Sequence, residues 1–149
     1  MNDQEIQVFI TGIRRYFESL RKDLRVVIEP PFLKNEEKPF LEYTGIIGIS
    51  GKTRGAVCFT ANGVMLENIL RFLNEAPING ELIRDLVGEI ANTLSGNARE
   101  EFGRDFLISV PVVSTGRDVR FEFPQDGCRN YVIPIIWQTE KAYLLVCLT

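Results

Sequence analysis

Glu89 and Asn92 are the residues whose types and spacing point to chemistry. Three apart on a helix, their side chains are neighbours on one face, with Cβ atoms about 5–6 Å apart. The carboxamide offers an acceptor oxygen and two donor hydrogens, but it is no base near neutral pH. It holds a water and aims it. That suits attack on an electrophile whose metal and leaving group are supplied elsewhere, where positioning and exclusion of bulk water are what remains to be provided. The carboxylate repels a phosphoryl group, so its natural work is to pair with a cation. The chain has no histidine. Ser-His-Asp and Cys-His nucleophilic arrangements and His-containing zinc sites are therefore excluded. Asp85, Glu89 and Asn92 carry the oxygen types of a Mg²⁺ site, yet a single helix face encloses nothing, and no metal of the chain's own is expected.

The element that must position the pair runs through Asp85-Leu86-Val87-Gly88-Glu89-Ile90-Ala91-Asn92-Thr93-Leu94-Ser95-Gly96-Asn97-Ala98. At helical period Ile83, Val87, Ile90, Leu94, Ala98 and Phe102 form one apolar stripe. Asp85, Glu89, Asn92 and Arg99 fall on the opposite face, Asn97 falls beside it, and Thr93 and Ser95 read as surface hydroxyls. A glycine inside a helix costs about 1 kcal/mol against alanine. Gly88 and Gly96 beside a polar pair therefore imply that another surface comes close.

The run Gly-Glu-Ile-Ala-Asn-x-x-x-Gly-x-Ala, from Gly88 to Ala98, resembles the signature of the CheC/CheX/FliY family of chemotaxis phosphatases, whose mark is Glu-x-x-Asn on a long helix. One motif on a chain of this length resembles CheX, since CheC-type members carry two. The resemblance spans the chain from about Tyr43 onward, and the leading helix fits it. It implies an activity: hydrolysis of the aspartyl phosphate of a phosphorylated CheY-type response regulator, with the Mg²⁺ held by the regulator and no cofactor of the chain's own. It assigns Asn92 the positioning of the attacking water and Glu89 the docking of the regulator's active-site Lys. It also implies a homodimer joined through its sheets. Two other readings stay open: a non-catalytic adaptor of the same fold that binds a signalling protein, and a dimeric contributor to a flagellar-switch assembly.

The rest of the chain must build a support for this helix. Asn2 or Asp3 can cap a first helix, with Ile6, Phe9, Ile10, Ile13, Phe17 and Leu20 on one face through about Leu24. Val26-Val27-Ile28 suits a strand that Pro30-Pro31 ends or places at an edge, and 34–39 reads as a polar loop. Strands follow over 42–50 and 55–61, joined by a turn at Gly51-Lys52-Thr53-Arg54. Gly51-Lys52-Thr53 resembles the end of a phosphate-binding loop, but position 46 is Ile46 and a strand follows, so nucleotide binding is rejected. Asn62 and Asn79 can cap helices over about 63–73 and 80–102, separated at Pro77. The remainder reads as strands over 108–114, 119–123, 131–137 and 142–148, with turns at 124–127 and 138–141.

Clustered rather than alternating elements predict an α+β fold, long helices packed on a largely antiparallel sheet, as one CheX-like domain over 1–149. The nearly continuous apolar run 142–148 suits a central strand covered on both faces, with a sheet edge that pairs with a second subunit as the rival reading. Trp137 belongs to core or interface. The net charge of −3 and the absence of a Lys/Arg cluster argue against nucleic-acid or anionic-membrane partners. No signal segment or membrane span is visible. Cys58, Cys128 and Cys147, odd in number and without a CxxC, suit small apolar core residues in a reduced cytoplasm.

Overall fold

The computed structural model describes residues 1–34, 39–117, 119 and 129–149. The expected strand over 119–123 and turn over 124–127 lie outside these, apart from Val119, as do Cys128 and most of the 34–39 loop. The first helix, α1 (Asp3–Leu20), starts where Asn2 accepts the Glu5 N–H at 2.9 Å. Two short strands, β1 (Val27–Ile28) and β2 (Phe32–Leu33), flank Pro30-Pro31. A hairpin of β3 (Tyr43–Gly51) and β4 (Gly55–Ala61) leads to α2 (Gly63–Phe72) and then α3 (Gly80–Phe102). The chain closes with β5 (Phe106–Ile108), β6 (Val112–Thr115) and the hairpin β7 (Arg129–Trp137) and β8 (Glu140–Leu148).

The eight strands among the described residues join one sheet in the order β1-β7-β8-β4-β3-β5, with β2 also on β7 and β6 also on β3, and each of these pairings is antiparallel. Helices on such a sheet give the α+β class expected. β8 has β7 on one side over its whole length and β4 on the other over 142–148. The reading of 142–148 as a free edge is thereby overturned, and its apolar continuity follows from cover on both faces. The helical face holds the main core, including Phe9, Phe17, Ile47, Phe59, Ile90, Leu94, Leu144 and Trp137. Fully burying each such side chain stabilises by about 1.5–3 kcal/mol. The opposite face carries a smaller cluster of Phe40, Ile46, Ala56, Cys58, Val119, Val132, Leu145 and Cys147.

Several details depart from expectation. Pro111, which has no N–H for a ladder, falls where one strand over 108–114 was expected, and the strand is split into β5 and β6. The first helix ends at Leu20, short of Leu24. Asn62 makes no side-chain cap for α2; it accepts the Glu42 N–H at 3.2 Å, while Glu42 Oε1 takes the Gly63 N–H at 3.1 Å. Ser95 is not a surface hydroxyl but fully buried, because α3 is covered over a wider arc than its stripe of large residues. Trp137 sits in the core, its ring 5.7 Å from Phe17 and 5.4 Å from Phe72. Cys58 is a free buried thiol whose pKa burial pushes up to about 12, as an inert core residue requires. Cys147 is disulfide-bonded, contrary to the reading of all three cysteines as reduced.

Candidate functional site

α3 is set by its ends and by its approach to the sheet. Asn79 caps it, accepting the Leu82 N–H at 2.9 Å, as the sequence predicts. Gly103 ends it at φ 100° with its N–H on the Arg99 carbonyl, a left-handed cap that glycine adopts without a Cβ penalty. Gly45 on β3 then lets the helix settle against the sheet: a Cβ there would lie 2.5 Å from the Val87 carbonyl oxygen and 3.0 Å from the Ala91 Cβ. With Ile83, Val87, Ile90, Leu94 and Ala98 buried, the polar residues have one direction left. Asp85, Glu89, Asn92, Thr93 and Arg99 are all exposed.

Glu89 and Asn92 therefore stand together on the open side of a helix whose other side is locked to the core. No hydrogen bond or ion pair with a described residue engages either side chain. Glu89 borders a hollow of about 90 Å³ lined also by Leu70, Leu73, Glu75 and Asp85. Two other carboxylates, Glu75 and Asp85, thus line the same hollow, and no described cation forms an ion pair with Glu89. Among the described residues no group of three His, Cys, Asp or Glu side chains gathers as a metal site.

The two motif glycines have different surroundings. A Cβ on Gly88 would meet Val113 Cγ2 at 3.1 Å and Pro111 at 3.4 Å, so the surface that comes close there is the chain's own β5–β6 connection. At Gly96 no described atom lies within 4 Å of that position. Asn97, off the motif face, packs against Gly12 of α1. The Gly12–Asn97 contact and the Phe9–Phe102 ring pair at 5.9 Å set α1 antiparallel to α3.

One turn further along α1, Tyr16 lies within electrostatic reach of Glu89. Burial, and then the Glu89 charge, raise the pKa of its hydroxyl well above the ordinary value. Tyr16 is a neighbour of the site that sequence reasoning missed. Its only signal was a polar group at the margin of the α1 apolar stripe. Pro111 and Val113, which cover Gly88, were likewise not foreseen.

A helix bearing an exposed Glu-x-x-Asn pair, backed by an antiparallel sheet, defines a class of protein known from comparison. The family model described as chemotaxis phosphatase CheX matches residues 43–135, more than half of the chain. The chain belongs to that family. The CheX chemotaxis protein from Vibrio vulnificus has 27% sequence identity and a TM-score of 0.81, covering 98% of this chain and 99% of that one. A CheC-like superfamily protein from Shewanella sp. PV-4 has 24% identity and a TM-score of 0.83 over 100% and 99% of the two chains. The fold is shared too by the Borrelia burgdorferi CheX solved in complex with CheY, BeF3 and Mg²⁺, at 16% identity and a TM-score of 0.74 over 96% of each chain. No curated protein sequence matches the chain.

Proposed function

We propose that this protein hydrolyses the aspartyl phosphate of a phosphorylated CheY-type response regulator. The observation that carries the reading is that Glu89 and Asn92, the motif pair of a chain in the CheX family, are both exposed on one face of α3 and form no hydrogen bond or ion pair with a described residue. A relative of the same fold, CheX from Borrelia burgdorferi, has been solved with CheY, which supports the choice of partner.

In the proposed step the Asn92 carboxamide holds a water against the regulator's phosphoryl group. The water oxygen bonds to phosphorus, the bond between phosphorus and the acyl oxygen breaks, and the regulator's aspartate leaves as a carboxylate. Inorganic phosphate is released and the water's proton passes to solvent. Mg²⁺ on the regulator neutralises the charge on the phosphoryl oxygens. Glu89, which forms no ion pair with a described residue, pairs with the regulator's active-site Lys and so orients α3 in the partner's site. A hundredfold acceleration from Asn92 requires about 2.7 kcal/mol of transition-state stabilisation, within reach of one well-placed amide. A homodimer in the cytoplasm completes the proposal.

The test is phosphate release from a purified phosphorylated CheY-type regulator, with and without the protein, alongside Glu89→Ala. Acceleration by the wild type, together with weaker regulator binding by Glu89→Ala, is the expected result. Binding with no acceleration would replace the phosphatase with the adaptor reading.

A further inference from the structure

The open face of α3 does not end at Asn92. Gly96 lies one turn on and Arg99 about two turns on, so Asn92, Gly96, Arg99 and Gly103 fall along one side of the helix. Gly96, Arg99, Gly103 and Arg104 border an open depression of about 460 Å³, with Glu100 and Ile108 on its margin. Its formal charge is positive, two guanidiniums against one carboxylate, and neither Arg99 nor Arg104 forms an ion pair with a described residue. The other end of the same face carries Asp85 and Glu89.

Gly96 is the element that needs explaining. A glycine inside a helix weakens it relative to alanine, and it is of use where a neighbouring surface leaves no room for a Cβ. Gly88 has such a neighbour within the chain. At Gly96 no described atom lies within 4 Å of a built Cβ, so no described residue takes up the space of the missing side chain.

Building on the phosphatase reading, we propose that the regulator's docking footprint continues along α3 past Asn92. In it the bare backbone at Gly96 takes the close approach of the partner, and Arg99 and Arg104 receive an acidic segment of the regulator's surface. Acidic residues at one end of the face and basic ones at the other fix the orientation of the partner as well as its affinity, because the reversed pose would set like charges together. Arg99 stands about 10 Å along the helix axis from Asn92. Its contact is therefore with surface that flanks the phosphorylated site rather than with the phosphoryl group, and Arg99 and Arg104 are positioning residues.

The experiment measures equilibrium binding of the full-length chain to a CheY-type regulator loaded with beryllofluoride and Mg²⁺, and in parallel the regulator concentration for half-maximal dephosphorylation. Wild type, Gly96→Ala, Gly96→Gln, Arg99→Glu and Arg104→Glu are compared, with thermal unfolding as the control for folding. Gly96→Ala and Gly96→Gln should unfold at or above the wild-type temperature. Gly96→Gln should nevertheless weaken binding at least about tenfold. Each charge reversal should weaken it about three- to tenfold, an effect that shrinks as salt is raised. Wild-type affinity in Gly96→Gln, or a charge-reversal effect confined to the saturating rate, would overturn the footprint. The parent reading fails separately, when the wild type binds the loaded regulator but does not accelerate hydrolysis; the binding comparison still decides the footprint in that case. A regulator that is neither bound nor dephosphorylated overturns both.

Discussion

Gly45→Ala should displace the motif helix without touching a motif residue. The added Cβ would stand 2.5 Å from the Val87 carbonyl oxygen, against an ordinary contact of 3.4 Å or more. About 0.9 Å must therefore open between β3 and α3. Neither side yields easily: Gly45 lies within the ladder between β4 and β6, and Val87 and Ala91 are fully buried. A radial gap of 0.5–1 Å forfeits roughly a quarter to a half of the dispersion attraction at each contact it opens. Overpacking of this kind costs about 1–3 kcal/mol, and in a domain of this size each kcal/mol lowers Tm by about 2–4 °C. Thermal unfolding of Gly45→Ala should therefore fall by about 2–12 °C. Because a displacement of about 1 Å in positioned groups can cost a hundredfold in rate, acceleration of dephosphorylation should fall more steeply than stability does. An unfolding temperature within a degree of wild type would refute the seating of α3 on β3 by backbone contact.

Two further substitutions probe the surroundings of the site. Ser95 is fully buried and its hydroxyl has no hydrogen-bond partner among the described residues, so Ser95→Ala should raise stability by about 0.5–1.5 kcal/mol, read by denaturant unfolding, since it removes an unmet polar group and improves helix propensity. The Tyr16 pKa is raised from its ordinary 10.0 in the folded chain, first by burial and then by Glu89. The unfolded chain thus releases this proton at lower pH than the folded one, and the associated stability is complete below about pH 10 and lost as pH rises above it. Tyr16→Phe removes that titration, so its unfolding temperature should decline less than that of wild type between about pH 9 and 11. An identical decline would contradict the burial that raises the Tyr16 pKa.

What was legible in the sequence was whatever the chain encodes locally. α3 was readable to its ends because a long apolar period, the Asn79 cap and the Gly103 stop agree. The exposed face followed from the same period, so Glu89 and Asn92 emerge where expected. The central place of β8 was readable from its unbroken apolar run, which needs cover on both faces. What was not legible depends on contacts between distant segments. The antiparallel seating of α1 brings Tyr16 to Glu89, and nothing in the local sequence records that register. The cover over Gly88 comes from Pro111 and Val113, whose apolar flanks disguised the break between β5 and β6. Ser95 looked like a surface residue because period alone does not report how wide an arc of the helix is buried. The different surroundings of Gly88 and Gly96, which separate internal packing from an open approach, emerge only in three dimensions.

The central claim is that Asn92 aims the attacking water while the rest of the face holds the regulator. The direct measurement is the dephosphorylation rate of a phosphorylated CheY-type regulator at saturating concentrations of wild type and Asn92→Ala, with binding of each followed separately. Asn92→Ala should bind with an affinity within about threefold of wild type and lose most of the acceleration, about a hundredfold or 2.7 kcal/mol. An Asn92→Ala variant that binds and still accelerates hydrolysis at the wild-type rate would contradict the water-aiming role of Asn92.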